Sequence, residues 1–525
     1  MRIIYSLSSF VFILTFTQSN AQVNTTVLDE NNMAVTLSDG GVSFSQPEYE
    51  VGVLLTGNGC ETPKGLGIHS LSGLSMWFSG QESDTGLPHS SAPMNEAYRQ
   101  QFIGPLNTHG HALDFQDQWL HSLFPITTAE IENHITNFNN PGYIIPESIL
   151  SWPAHGDVSL GFNYFLAPFV DVDGDGTYIP SNGDFPCIKG DKAVFIMLND
   201  VEEYHGCGGV ASNQAALGIQ IQMLFYQYST QSGLENVTFC DTKIHNQSEH
   251  DYVNFKSSLH LNTIIGSFED DHVGTEVQRN TIYAYNGDSL DYSVSSPGHQ
   301  EHPPAIGVVS LNHTIARSRY FTHPANYPYN IPVYPPDIRN IMNGNLLDGS
   351  PQDQDYFFTG NPYEASGDLD TNQYNSYHDK MVYTIDAGTL LQGESKQFDF
   401  AVVYSQGINY KESVNDLFND IDATQTFYNN QSVECFLQYL NVEDSPEIMG
   451  VTIYPNPSNG LINIKLDDAI LGSSLEVLDL SGRKIQPTKQ LNYNHESLAL
   501  KQPPGIYIIR ISKGNMSQSY RLIIE

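Results

Sequence analysis

Apolar and polar residues alternate with a period of two along "ALGIQIQMLFYQYS" (216–229), "LENVTFCDTKIHN" (234–246), "VNFKSSLHL" (253–261) and "KQFDFAVVYS" (396–405). These runs are rich in aromatic and β-branched residues and are separated by Gly, Asn, Asp and Ser clusters. Side chains on a strand point to opposite faces in turn, so this pattern predicts antiparallel sheets with one face buried. Helical signals are few. "TTAEIENHITNF" (127–138) offers Thr127 or Thr128 as an N-cap with acids in the first turn, and "KESVNDLFNDIDATQTFYNN" (411–430) carries apolar residues at helical spacing. The expected fold class is therefore mainly β, an antiparallel β-sandwich body of one or two sandwiches with few helices, followed by a small Ig-like β-sandwich.

At 525 residues the chain is too long for one ordinary domain, and length alone suggests about three units. Residues 1–21 read as a signal peptide: Arg2 supplies the positive start, "IIYSLSSFVFILTF" the apolar run and "QSNA" the cleavage site after Ala21. The apolar run falls short of the ~20 residues a membrane span needs. No cysteine follows the cleavage point, which argues against lipid attachment there, and no other stretch approaches spanning length. The mature chain is expected not to be a transmembrane protein.

Formal charge is −37, and residues 450–525 hold eight Lys or Arg against six Asp or Glu. The whole negative excess thus lies in the body. Such a field repels nucleic acid and anionic lipid and attracts divalent cations. The change of sign falls at "LNVEDSPEIMG" (440–450), which reads as a linker, giving a body over 22–445 and a last unit over 446–525. Five cysteines (60, 187, 207, 240 and 435) leave at least one unpaired; Cys187 and Cys207, nearest in sequence, are the first candidates for a disulfide.

The last unit contains "YPNPSNG" (454–460), "LEVLDLSGRKI" (475–485), "PPGIYIIRISKG" (503–514) and the terminal "YRLIIE". Pro455 and Pro457 suit entry to an edge strand, and Gly460 and Gly482 suit turns with positive φ. In this order the motifs resemble the C-terminal sorting domain (type A) of type IX secretion system cargo. The resemblance implies partnership with the type IX secretion machinery, export across the outer membrane, and release or attachment at the outer cell surface. The body segments "LSMWFSGQESDTGLPHSSA" (74–92), "WPAHGD" (152–157) and "LQGESKQFDFAVVYSQG" (391–407) resemble a group of large secreted proteins of unassigned activity that carry the same sorting domain. That similarity implies one secreted architecture and no particular reaction.

Within the body, "VDVDGDGTYIPSNGDFP" (170–186) places Asp171, Asp173 and Asp175 at alternate positions before Gly176. Calcium takes six to eight hard oxygens at ~2.3–2.6 Å, and a short loop supplies them from positions 1, 3 and 5, a carbonyl at 7 and a later acid. Thr177 offers the carbonyl. Position 12 holds Asn182 where a helix–loop–helix sensor has Glu, Asp184 follows two residues later, and the flanks read as extended. A structural calcium loop and a solvated acidic turn are the two readings. A second acidic stretch, "GSFEDDHVGTE" (266–276), makes Asp270 and Asp271 candidates for another cation site or for an acid–base pair. His109 and His111 could share a metal only if their segment were a strand.

Two functions fit. One is a calcium-stabilised secreted or surface protein in a non-enzymatic binding or adhesion role, with a glycan or surface ligand met by some of its 30 Tyr and 26 Phe. The other is a secreted polysaccharide-degrading hydrolase using acids from 269–276.

Overall fold

The computed structural model describes residues 24–45, 59–93, 100–112, 122–201, 216–229, 231–267, 270–292, 298–323, 328, 332, 335–370, 377–431, 451–454, 458, 460–467, 470–478, 484–502, 505–513 and 516–524. The signal peptide, the 440–450 linker, Glu269, Cys207, Cys435, Pro455, Pro457 and Gly482 lie outside them. The chain divides into a body ending at Ser432 and a second unit from Val433. That is fewer than length suggests, because the body's two large sheets share one core.

The first sheet has nine strands, with His69–Glu82, Tyr252–Thr263, Tyr377–Leu390 and Arg317–His323 side by side. The second has ten, and its centre runs Thr281–Asn286, Ala305–Ser310, Phe400–Ser405, Val237–Asn246, Ile219–Gln227 and Lys192–Asn199. All these pairings are antiparallel. The inner faces meet in a single core: Met76, Phe78, Leu259, Leu261 and Tyr383 from the first sheet face Ile196, Ile221, Phe225, Val308 and Val402 from the second. The body is thus one sandwich, built by the alternation visible in the sequence.

The outer faces depart from the expected pattern. Trp77, between the inward Met76 and Phe78, packs with Phe321, Val382 and helix α3 (Pro335–Met342), outside the main core. On the second sheet every residue of Ile219–Gln227 is buried, not every other one. Loops and helices explain this: the backbone of Leu106 and Leu166 bonds Gln220 and Gln222. Helix α1 (Thr128–Asn137) and the short α2 (Glu147–Leu150) lie in the segment whose Trp152 packs on Phe195, ring centroids 5.4 Å apart. Helix α4 (Tyr410–Asn430) buries Val414, Leu417, Phe418 and Ile421. A Cβ on Gly307 would lie 3.4 Å from Leu417, which is how closely α4 rides on the sheet.

Both helices expected from the sequence form, with sharp starts. Thr127 accepts a hydrogen bond from the Glu130 N–H while Glu130 accepts one from the Thr127 N–H, a reciprocal capping box. Asn409 accepts from the N–H groups of Lys411 and Glu412 to start α4. Among the described residues no helix is long and apolar enough to cross a membrane.

The second unit consists of a three-stranded and a four-stranded antiparallel sheet. Ile462, Ile464, Leu475, Val477, Ile509, Ile511 and Leu522 fill its core. Gly460 has φ +93°, and a Cβ there would meet the Leu500 carbonyl oxygen at 2.5 Å, so the turn in "YPNPSNG" requires glycine.

Candidate metal centre

The Asp-rich stretch is the loop of a small β-ribbon. Phe169–Val170 pairs antiparallel with Phe185–Pro186, Val170 opposite Phe185. Extended flanks were expected, and strands are what close this loop. Gly174 and Gly176 have φ of +74° and +81°, which lets the chain fold back around the Asp171 carboxylate. Asp171 accepts from the N–H of Gly174 and of Gly176, both at 2.7 Å. Asp173 accepts from the Asn182 side chain at 2.9 Å, so the amide at position 12 braces an acid.

Asp184 is fully buried and holds the two limbs of the loop together. Its Oδ1 accepts from the Val172 N–H at 2.8 Å and its Oδ2 from the Ile179 N–H at 2.7 Å. Burial raises its carboxyl above the ordinary range, and the charges of Asp171 and Asp173 push the same way. One oxygen from each of Asp171, Asp173 and Asp184 falls within 4.8 Å of the others. Asp175 is not in that group; its Oδ1 caps the Thr177 N–H at 2.7 Å. The Thr177 hydroxyl accepts from the Tyr164 phenol at 3.2 Å. A wall of rings backs the loop: His155 stacks on Tyr164 at 4.0 Å and accepts from the Tyr178 N–H, while Tyr178 meets Phe169 edge-on.

The remaining expected residues are placed elsewhere. Asp271 is buried at the start of a strand and accepts from the Ile265 N–H at 2.9 Å. Asp270 is raised by burial and by Asp288, and accepts from the Asn286 amide at 3.3 Å. Among the described residues neither belongs to a cluster of three potential ligands. His109 and His111 sit in a turn, not a strand, and both of their N–H groups bond the Asn107 side chain at 3.0 Å. Cys187 is disulfide-bonded, while Cys60 and Cys240 are free and buried. The expected partner Cys207 lies outside the described residues.

A second group, Glu82, Asp84 and His250, also brings three ligand atoms within 4.8 Å. Glu82 ends one long strand, Asp84 lies in the turn after it, and His250 precedes the neighbouring strand. Glu82 is already engaged by Thr85 and by His89 at 2.8 Å, with His250 at 3.4 Å. Sequence spacing could not have found it, since 168 residues separate Glu82 from His250 and only the strand pairing of Tyr252 with Glu82 joins them.

Solved structures similar to this chain include a polysaccharide lyase, at 9% identity and TM-score 0.19, covering 63% of this chain and 39% of the lyase. They also include a protein assigned as a kojibiose phosphorylase from the human microbiome, at 7% identity and TM-score 0.21, covering 45% of this chain and 23% of that one. The chain therefore spans well under half the length of either. No curated protein sequence matches it. Residues 452–525 match the secretion system C-terminal sorting domain. The chain is a type IX secretion system cargo protein, addressed by its last unit to secretion or to attachment at the outer surface.

Proposed function

We propose that the body is a calcium-stabilised binding module that serves outside the cell, with a glycan as its ligand. The observation that carries the calcium is the convergence of Asp171, Asp173 and Asp184 in one closed hairpin loop. Their oxygens are the hard donors calcium takes, and a cation between them would relieve the repulsion that adds to burial in raising Asp184. The ion would have a folding role: it would pin a loop whose two ends are strands.

A cleft of about 350 Å³ between α4 and the chain around 278–280 and 311–314 supports the choice of ligand. Its lining includes Asn280, Asn312, Gln425 and Asn429, side chains that both donate and accept, as sugar hydroxyls require. A binding role fits this cleft better than glycoside hydrolysis. Hydrolysis needs two carboxyl groups ~5–9.5 Å apart, and the lining supplies one, Asp422, held by Arg279 through bonds of 2.9 and 2.8 Å.

Calcium-dependent thermal unfolding tests the proposal. At a free concentration 100-fold above Kd, calcium should add ~2.7 kcal/mol to the wild type, and the exposed Asp173→Ala change should remove most of that gain. An unchanged midpoint in calcium would refute the folding role. On a glycan array, the wild type should bind a defined class of sugars and Gln425→Ala should lose it; a blank array counts against the ligand, whatever calcium does.

A further inference from the structure

Under α4, the outer face of the second sheet buries a lysine beside two carboxyl groups. Lys189 lies in the connection leading to the strand Lys192–Asn199, and its Nζ is 2.7 Å from Oδ2 of Asp241, with side chains only 8% and 2% exposed. Asp241 sits mid-strand in Val237–Asn246 and also accepts from the Tyr226 phenol at 3.1 Å. Asp399 lies just before the strand Phe400–Ser405, whose Phe400 pairs with Cys240. It accepts from the Thr242 N–H at 3.1 Å, from the Gln397 amide at 2.7 Å and from the Tyr428 phenol of α4.

Rings close the site. Nζ lies 5.8 Å from the Tyr226 ring centroid and 5.9 Å from that of Tyr428. Tyr226 stacks on Phe239 at 5.1 Å, and Phe427 of α4 packs on Phe239 and Tyr228.

We propose that Lys189 and Asp241 condense to a side-chain amide, an isopeptide bond, with Asp399 as the adjacent carboxyl that relays the proton. The Nζ lone pair attacks Cγ of Asp241, a C–N bond forms and one C–O bond breaks. The departing oxygen takes two of the three ammonium protons and leaves as water, so the opposite charges vanish together and no oxidant or cofactor is consumed.

Three features favour this reaction over a standing ion pair. The nucleophile and the carboxyl are in contact, which removes the entropic cost of bringing them together. Both carboxyl groups are raised, Asp241 by burial and Asp399 by burial and then by Asp241, which favours the neutral acid from which an amide forms. Keeping two charges in a site this dry is costly before their attraction is counted, whereas a buried amide carries no net charge.

Peptide mapping of the full chain after reduction decides it. The expected result is an intact mass short by one water and a branched peptide joining Lys189 to Asp241, which separates this bond from water lost elsewhere. Lys189→Arg keeps the buried positive charge and cannot form the bond, so it should restore full mass. Asp399→Asn should leave most of the protein uncrosslinked although Lys189 and Asp241 are intact. Linear peptides carrying an unmodified Lys189 and Asp241 in the wild type would overturn the proposal and leave a plain ion pair.

Discussion

Replacing Asp184 by Ala should lower the stability of the protein by about 2–4 kcal/mol even with calcium absent. The carboxylate accepts the N–H groups of Val172 and Ile179, seven residues apart on opposite limbs of the hairpin loop. Its removal leaves two partly buried donors without their acceptor, and each such loss costs about 1–2 kcal/mol, the lower part of the range for an unsatisfied buried group. Denaturant unfolding of the two proteins in EDTA gives this difference directly. Calcium then tests the second role of the residue: if Asp184 is a ligand, the gap between wild type and variant widens when calcium is added. A gap that stays constant on adding calcium would make Asp184 a loop brace alone.

The second large effect is a pH dependence centred on His260. This side chain is buried on the outer face of the first sheet and stacks on Trp77, ring centroids 4.7 Å apart and 14° from parallel. Burial, reinforced by the positive charge of Lys380, lowers its pKa from 6.5 to about 3. The folded protein therefore binds fewer protons here than the unfolded chain between those values. Its contribution is intact above pH 6.5 and is lost as pH falls toward about 3. At about pH 5 the loss is ~2 kcal/mol, at 1.36 kcal/mol per pH unit below 6.5.

Other buried groups oppose it. Asp200 and Asp291 are both raised to about 6 by burial, and they stabilise the fold as pH falls below that value. The comparison must therefore be with His260→Phe, which keeps a stacked ring and cannot protonate. Relative to wild type, the variant should gain ~2 kcal/mol on going from above pH 6.5 to about pH 5. Parallel stability curves for the two proteins would show that His260 does not stay neutral in the fold.

The sandwich was legible because period-two alternation is a direct print of strand geometry, as in Leu259 and Leu261, which enter the core on either side of His260. The continuous burial of Ile219–Gln227 was less so, because Gln220, Gln222 and Gln227 look solvent-facing until loop segments and polar partners cover them. Gln222, for example, is buried yet donates to the Leu166 carbonyl at 2.9 Å. Helix α3 went unread, starting at a Pro-Pro pair and presenting only a short apolar stripe.

In the acidic loop, the alternating aspartates and the later Asp184 could be picked out by spacing alone. That Asp175 would turn away to cap Thr177 could not, since an Asx turn and a ligand use the same residue type. The Lys189, Asp241 and Asp399 group escaped notice for a different reason: it gathers three segments that only the sheet order makes neighbours.

That sheet order also bears on how the chain matures. The strand Tyr377–Leu390 inserts between Tyr252–Thr263 and Arg317–His323, and Phe400–Ser405 inserts between Val237–Asn246 and Ala305–Ser310. The last long strands of the body are thus interior ones, and each closes a pairing with a segment well over a hundred residues upstream. A nascent body lacking residues beyond 376 has an open slot in both sheets and four bare edges for other chains to pair with. Folding of this kind is slow and late, so an exported chain would pass most of its synthesis unable to close its core.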